Sequence, residues 1–154
     1  MNRKNVLFFS MIGLFLFILV CTACEDETPT YNEFEWRVFE LTNIERTNQG
    51  IPALRWDDRL GAAARAHSED MVKNNFRGHT GSDGSSVGQR ITRAGFEWRI
   101  CAENIAYGHR TPEAAVAAWM NSPDHRRNIL NASLTHLGVG VVENRWTQKF
   151  ATPR

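Results

Sequence analysis

Phe34, Val38, Leu41 and Ile44 recur at spacings of four, three and three, the period of one helical face. A first helix is therefore predicted over residues 33–49, closed by Gly50 and Pro52. Asp57 is placed to cap a second helix. Leu60, Ala63, Ala64, His67 and Met71 share one face of it, and Asn74-Asn75 ends it. Residues 78–88 form a turn-rich loop holding His79. Val87, Ile91 and Ala94 then predict a short helix stopped by Gly95. Residues 98–107 read as irregular or extended and hold Glu103. Thr111-Pro112-Glu113 is a helix start, with a hydroxyl at the N-cap, proline at the first helical position and an acid in the first turn. Ser122-Pro123-Asp124 repeats that signal at once, so a further short helix begins there, with Ile129 and Leu130 packing its far side. Residues 137–142 and 146–151 alternate as two strands joined by Glu143-Asn144-Arg145. Helices first and strands last make an α+β pattern, with the helices covering a small, mostly antiparallel sheet.

The N-terminus is patterned differently. Arg3 and Lys4 precede an apolar run over residues 6–20. That run is short for a bilayer-spanning helix, which needs about 20 residues, and fits an export signal better. Cys24 follows the small residues Thr22-Ala23 and precedes Glu25-Asp26-Glu27. This resembles a bacterial lipoprotein signal, in which such a cysteine is lipidated and becomes the mature N-terminus. Cys21 departs from the pattern, which prefers leucine three residues before the lipidated cysteine. The expected organisation is a signal over 1–23, a tether over 24–32 and a folded domain over 33–154. Location is then the cell envelope, through a lipid anchor on Cys24, or the exterior. Only Cys101 remains as a free thiol, so no disulfide within the mature chain is expected. It is expected to be buried and not a nucleophile.

Composition narrows the classes further. A chain of 154 residues with 42% hydrophobic and 23% charged residues is globular, with room for one ordinary domain. With 18 Lys+Arg against 17 Asp+Glu and no block of like charge, no nucleic-acid partner is expected. A monomer is expected.

The chemistry sits in the loops and helix starts. His79, Glu103 and His125 fall where a side chain can reach a cleft without being consumed by core packing. Two imidazoles and a carboxylate form a familiar zinc shell with water in the fourth position. The same three can instead act as acid and base around an organic ligand. Their spacing is no local metal signature, unlike two histidines on one helix turn, so both readings stay open. His67 shares a helix face with Leu60 and Met71 and reads as a satisfied core or boundary histidine. Ser122 lies near His125, but its place before Pro123 fits an N-cap that ties up the hydroxyl. Arg126-Arg127 reads as a solvated helix face.

Four ordered stretches carry a family resemblance. They are Phe76-Arg77-Gly78-His79-Thr80, Ala102-Glu103-Asn104-Ile105-Ala106, the segment from Ala118-Trp119 through Ser122-Pro123-Asp124-His125 to Ile129-Leu130, and Leu137-Gly138-Val139-Gly140. Together with Trp146-Thr147-Gln148-Lys149-Phe150 they resemble the bacterial branch of the CAP superfamily, over about residues 38 to 151. The resemblance implies an α–β–α sandwich with a surface cleft. The usual cleft set in eukaryotic members is His, Glu, Glu, His. His79 matches the first, Glu103 the second and His125 the last. Ser122 occupies the place of the second Glu, so one carboxylate is missing, and Asp124 is the nearby acid that could partly replace it. Asn104 is expected to hold the loop by side-chain to backbone bonds. Zinc is the candidate cofactor. The resemblance implies a small molecule, lipid or peptide ligand, with a metal-assisted hydrolase or an envelope interaction protein as alternatives.

Overall fold

Asn32 opens the first helix. Its side chain accepts from the Glu35 N–H, and the Glu35 carboxylate accepts from the Asn32 N–H, which satisfies two helix-start donors at once. The structure, a computed structural model, describes residues 31–154. The proposed signal and Cys24 lie outside the described residues. The elements in chain order are α1 (Glu33–Thr47), β1 (Arg55–Trp56), α2 (Asp58–Lys73), α3 (Val87–Arg93), β2 (Trp98–Tyr107), α4 (Pro112–Met120), α5 (Pro123–Ile129), β3 (His136–Val142) and β4 (Arg145–Pro153).

The four strands form one sheet in the order β1-β3-β4-β2. β1 runs parallel to β3; the β3–β4 and β4–β2 pairs are antiparallel. The fold is thus the expected α+β sandwich, with helices on both faces of a small mixed sheet. Of the two readings of residues 98–107, the extended one holds: they form a ten-residue strand that pairs with β4 along almost its whole length, with one register shift between Trp98 and Ile100.

One face of the sheet carries the larger core. Val38 and Phe39 of α1, Val116 and Trp119 of α4 and Ile129 of α5 pack with Leu137, Val139, Trp146 and Phe150 of the sheet. The other face is covered by α2 and α3, whose Leu60 and Ile91 pack with Phe96 and Ala151. Strand alternation assigns these faces. Leu137 and Val139 point one way, while Gly138 and Gly140 turn toward α2. A Cβ on Gly138 would stand 2.0 Å from the Gly61 nitrogen, and one on Gly140 would stand 2.1 Å from the Arg65 nitrogen. The two glycines therefore let the α2 backbone press onto β3. Ser68 ties the layers by donating to the Gly140 carbonyl at 3.0 Å.

The inward face of α1 differs from the expected stripe. Phe34 and Ile44 are 45% and 47% exposed, and the buried positions are Glu35, Val38, Phe39, Thr42 and Arg46. Two charges account for the rotation. Glu35 accepts from Arg65 at 2.7 Å and from the Val141 N–H at 3.1 Å. Arg46 donates to the carbonyls of Pro52, Ile129, Asn131 and Leu134. A buried ion is tolerated only when so paired, and these pairs outrank the apolar count.

Candidate functional site

β2 is an edge strand, and its central residues Glu103 and Asn104 point to opposite faces. Glu103 lies directly opposite Lys149 of β4, and Asn104 directly opposite Gln148. Each cross-strand pair anchors a different helical layer.

On the α2/α3 side the Glu103 carboxylate is enclosed. Oε1 accepts from His79 Nδ1 at 2.8 Å and from Arg90 Nη2 at 3.3 Å. Oε2 accepts from Arg90 Nη2 at 3.1 Å and from the buried Lys149 ammonium. His67 Nε2 stands 3.7 Å from Oε1. Burial acts to raise the Glu103 pKa; the His79 hydrogen bond and the charges of Lys149 and His67 override it and bring it to about 2. Burial pulls Lys149 below the usual lysine range, and Arg90 adds to that while Glu103 opposes it. The two shifts agree physically, because one carboxylate is shared between two cations.

On the other side, Asn104 donates to the His125 carbonyl at 3.1 Å and to Gln148 Oε1 at 3.0 Å. Asn128 donates to Asn104 Oδ1 at 2.9 Å and to the Glu103 carbonyl at 3.3 Å. Gln148 donates to Thr42 at 2.7 Å. This chain of amides pins α5 against the sheet edge and sets His125 there. Asn104 thus works as expected through a backbone contact, but it holds a helix and not its own segment.

The structure brings His79 and Glu103 into direct contact. His125 arrives from the opposite layer, half-buried, and feels the His79 charge. Burial first and His79 second hold its pKa below the usual histidine range. His79 remains half-exposed. Its Nδ1 must donate to the ionised carboxylate, so Nε2 is the nitrogen left to contact a ligand. Ser122 occupies the N-cap position of α5, but its side chain makes no capping bond, which corrects the expectation that the hydroxyl is tied up there. Asp124 is exposed beside it and pairs with Arg127 at 3.0 Å. Cys101 is half-buried and free, not fully buried.

Three residues of the cluster carried no sequence signal for this role. Lys149 sits in an alternating strand, where its position suggests a solvent face; helices cover both faces of the sheet, so it is buried. Arg90 reads as the polar side of a short helix. His67 is buried as expected, with Nε2 on the Gly78 carbonyl at 2.9 Å, but its Nδ1 has no partner.

The donor set does not fit zinc held by His79, Glu103 and His125. Both Glu103 oxygens are engaged, and the adjacent Arg90 and Lys149 charges oppose a further cation. Among the described residues no group of three or more His, Cys, Asp or Glu is arranged to hold a metal ion.

An α–β–α sandwich with one histidine held by a buried acid of the edge strand and a second near enough to feel its charge defines the class. Residues 39–152 match the cysteine-rich secretory protein family, CAP, and the chain belongs to that family. It is 45% identical over 119 residues to the uncharacterized protein YkwD of Bacillus subtilis, covering 76% of this chain and 46% of YkwD. It is 38% identical, with a TM-score of 0.75, to an extracellular protein containing an SCP domain from Bacillus anthracis, covering 76% of this chain and 39% of that one. The fold is also that of an outer surface protein from Borrelia burgdorferi, at 21% identity, 76% and 90% coverage and a TM-score of 0.71. The chain thus spans under half the length of its curated relative YkwD.

Proposed function

We propose that this chain is an exported CAP-domain protein, tethered to a membrane through Cys24, that binds a small ligand or peptide segment at the β2 edge. His79 and His125 are its recognition groups. The observation that supports this reading is the enclosure of Glu103. A carboxylate held near 2 is no proton donor at neutral pH, and with both oxygens occupied it is a poor base. Its work is to orient His79. What then faces outward is a fixed imidazole whose charge reaches His125, an arrangement suited to hydrogen-bonding a polar ligand.

Export rests on Arg3, Lys4 and the apolar residues 6–20, and on the likeness to a protein described as extracellular. The tether rests on Cys24. Native mass spectrometry of the protein isolated from its own host tests the binding reading. Wild type is expected to carry a bound molecule that the His79→Ala/His125→Ala variant lacks; a bare wild-type chain contradicts it. Cys24→Ser is expected to move the protein out of the membrane fraction, and unchanged fractionation contradicts the tether.

The His79–Glu103 bond favours a second reading, a hydrolase in which the oriented imidazole acts as base toward water. Hydrolysis of a peptide or ester panel that falls with His79→Ala supports it; no turnover above the uncatalysed rate removes it.

A further inference from the structure

His79 lies on the irregular segment between the end of α2 and the N-cap of α3. An imidazole on such a segment is placed only as well as its backbone is held by the elements around it. The bond from Nδ1 to Glu103 holds the ring. The backbone is held by two further side chains, Arg90 of α3 and His67 of α2.

Arg90 is the larger anchor. Nη2 donates to the His79 carbonyl at 2.7 Å and to the two Glu103 oxygens at 3.3 and 3.1 Å. Nη1 donates to the Ser85 carbonyl at 2.6 Å, which also accepts from the Gly81 N–H at 2.9 Å. One guanidinium thus fastens residues 79–85 at both ends and joins them to the carboxylate that holds the His79 ring. The side chain is only 10% exposed.

His67 holds the preceding peptide. Its ring is fully buried, and Nε2 faces the Gly78 carbonyl at 2.9 Å. A carbonyl only accepts, so Nε2 carries the proton. The Gly78 and His79 carbonyls belong to the two peptide units that flank the His79 Cα, so both planes adjoining this residue are held. Neither anchor satisfies all of its own nitrogens. His67 Nδ1 and Arg90 Nε are buried without a partner, and Arg145 Nε is the one other such atom among the described residues. Leaving a buried polar atom unpaired is costly. Both residues bear that cost while their remaining nitrogens hold the two peptides of one histidine.

We propose that Arg90 and His67 are positioning residues of the histidine site: together they fix both peptide planes of His79, so that its ring meets Glu103 in one orientation and presents one nitrogen outward. This role rests on the reading of His79 as a recognition group. A lysine at position 90 would keep the charge, but it gathers its donors on one nitrogen and has no fork to span the two loop carbonyls and the carboxylate. A ligand arriving at His79 meets a ring already placed, and binding need not order the loop.

The test is long-range nitrogen–proton NMR of the full chain in detergent, without ligand and at a pH where His79 is neutral, together with amide exchange of residues 79–85. Wild type is expected to show one His79 tautomer, with the proton on Nδ1. Arg90→Lys is expected to raise both the minor tautomer and the loop exchange rate about tenfold, the size of one lost hydrogen bond to a charged group. His67→Leu is expected to raise both as well. His67→Gln, whose amide can donate to the Gly78 carbonyl, is expected to restore the wild-type tautomer. Arg93→Lys alters the Asp83 ion pair of the same loop and is expected to change neither readout. If Arg90→Lys does not fold, as judged by urea denaturation, the two His67 variants decide. Comparable tautomers in wild type, unchanged proportions in Arg90→Lys and His67→Leu, no rescue by His67→Gln, or equal loosening by Arg93→Lys would overturn the proposal. A wild-type chain bare of ligand in native mass spectrometry would instead remove the binding reading and leave these results standing.

Discussion

Glu103 and Lys149 stand directly opposite each other on β2 and β4, and both side chains are buried. Lys149 supplies one of two cations on the carboxylate; Arg90 supplies the other. The cluster therefore carries one more positive than negative permanent charge, and the anion is the member it can least spare.

Glu103→Gln is expected to be the most damaging change in the cluster. It leaves Lys149 and Arg90 buried against a neutral amide, a loss of roughly 3–5 kcal/mol for breaking a buried pair. Lys149→Met is expected to be milder, because Arg90 and His79 still satisfy the carboxylate and the methionine fills the space. Urea denaturation of the two variants checks the order, and the reverse order contradicts this account.

Acid should weaken the fold through the same residue. The Glu103 pKa falls from 4.5 to about 2 on folding. A lowered carboxylate stabilises the native state fully above its unfolded value and loses that contribution as pH falls through the folded one. The window is therefore about pH 4.5 down to about 2, and the shift is worth about 3 kcal/mol. Thermal melts across that window should show the decline in wild type and a smaller one in Glu103→Gln.

The contact of α2 with β3 predicts a separate sensitivity. Gly140→Ala places a methyl carbon 2.1 Å from the Arg65 nitrogen, and backbone atoms must move to admit it. A loss of about 3 kcal/mol is expected, at the upper end of overpacking penalties. Gly50→Ala meets no neighbour, and its cost arises from its positive φ alone. Chemical denaturation of both should place Gly140→Ala well below Gly50→Ala.

Much of this architecture is readable from the chain. The α2 face from Leu60 to Met71, the double start at Thr111-Pro112 and Ser122-Pro123, and the final hairpin are local signals, and they appear where expected. What escaped depends on partners distant in sequence. Phe34 and Ile44 look like core until Arg65 and Val141 claim Glu35 and four carbonyls claim Arg46. Trp98 to Tyr107 reads as either irregular or extended, and the sequence could not choose, because its polar residues Glu103 and Asn104 are satisfied by distant partners. His79, Glu103 and His125 were visible as candidates by residue type and motif. Lys149 and Arg90 were not, since a buried cation is recognised only once its anion is located. They turn an expected ligand carboxylate into a held one.

The two imidazoles should sense each other across the edge strand. Burial and the charge of His79 both lower the His125 pKa. Removing that charge with His79→Ala is expected to raise the His125 midpoint toward the ordinary histidine value, leaving burial, which lowers it, and Asp124, which raises it. Proton NMR of the ring signals measures it. An unchanged midpoint would mean that the histidines do not share a site.

The central claim is that Glu103 is an anion locked in place to orient His79. Long-range nitrogen–proton NMR of wild type, at a pH where His79 is neutral, reads this directly. The account predicts a proton on Nδ1, toward Glu103, with Nε2 bare and free to meet a ligand. A proton on Nε2, or two tautomers in comparable amounts, would contradict it.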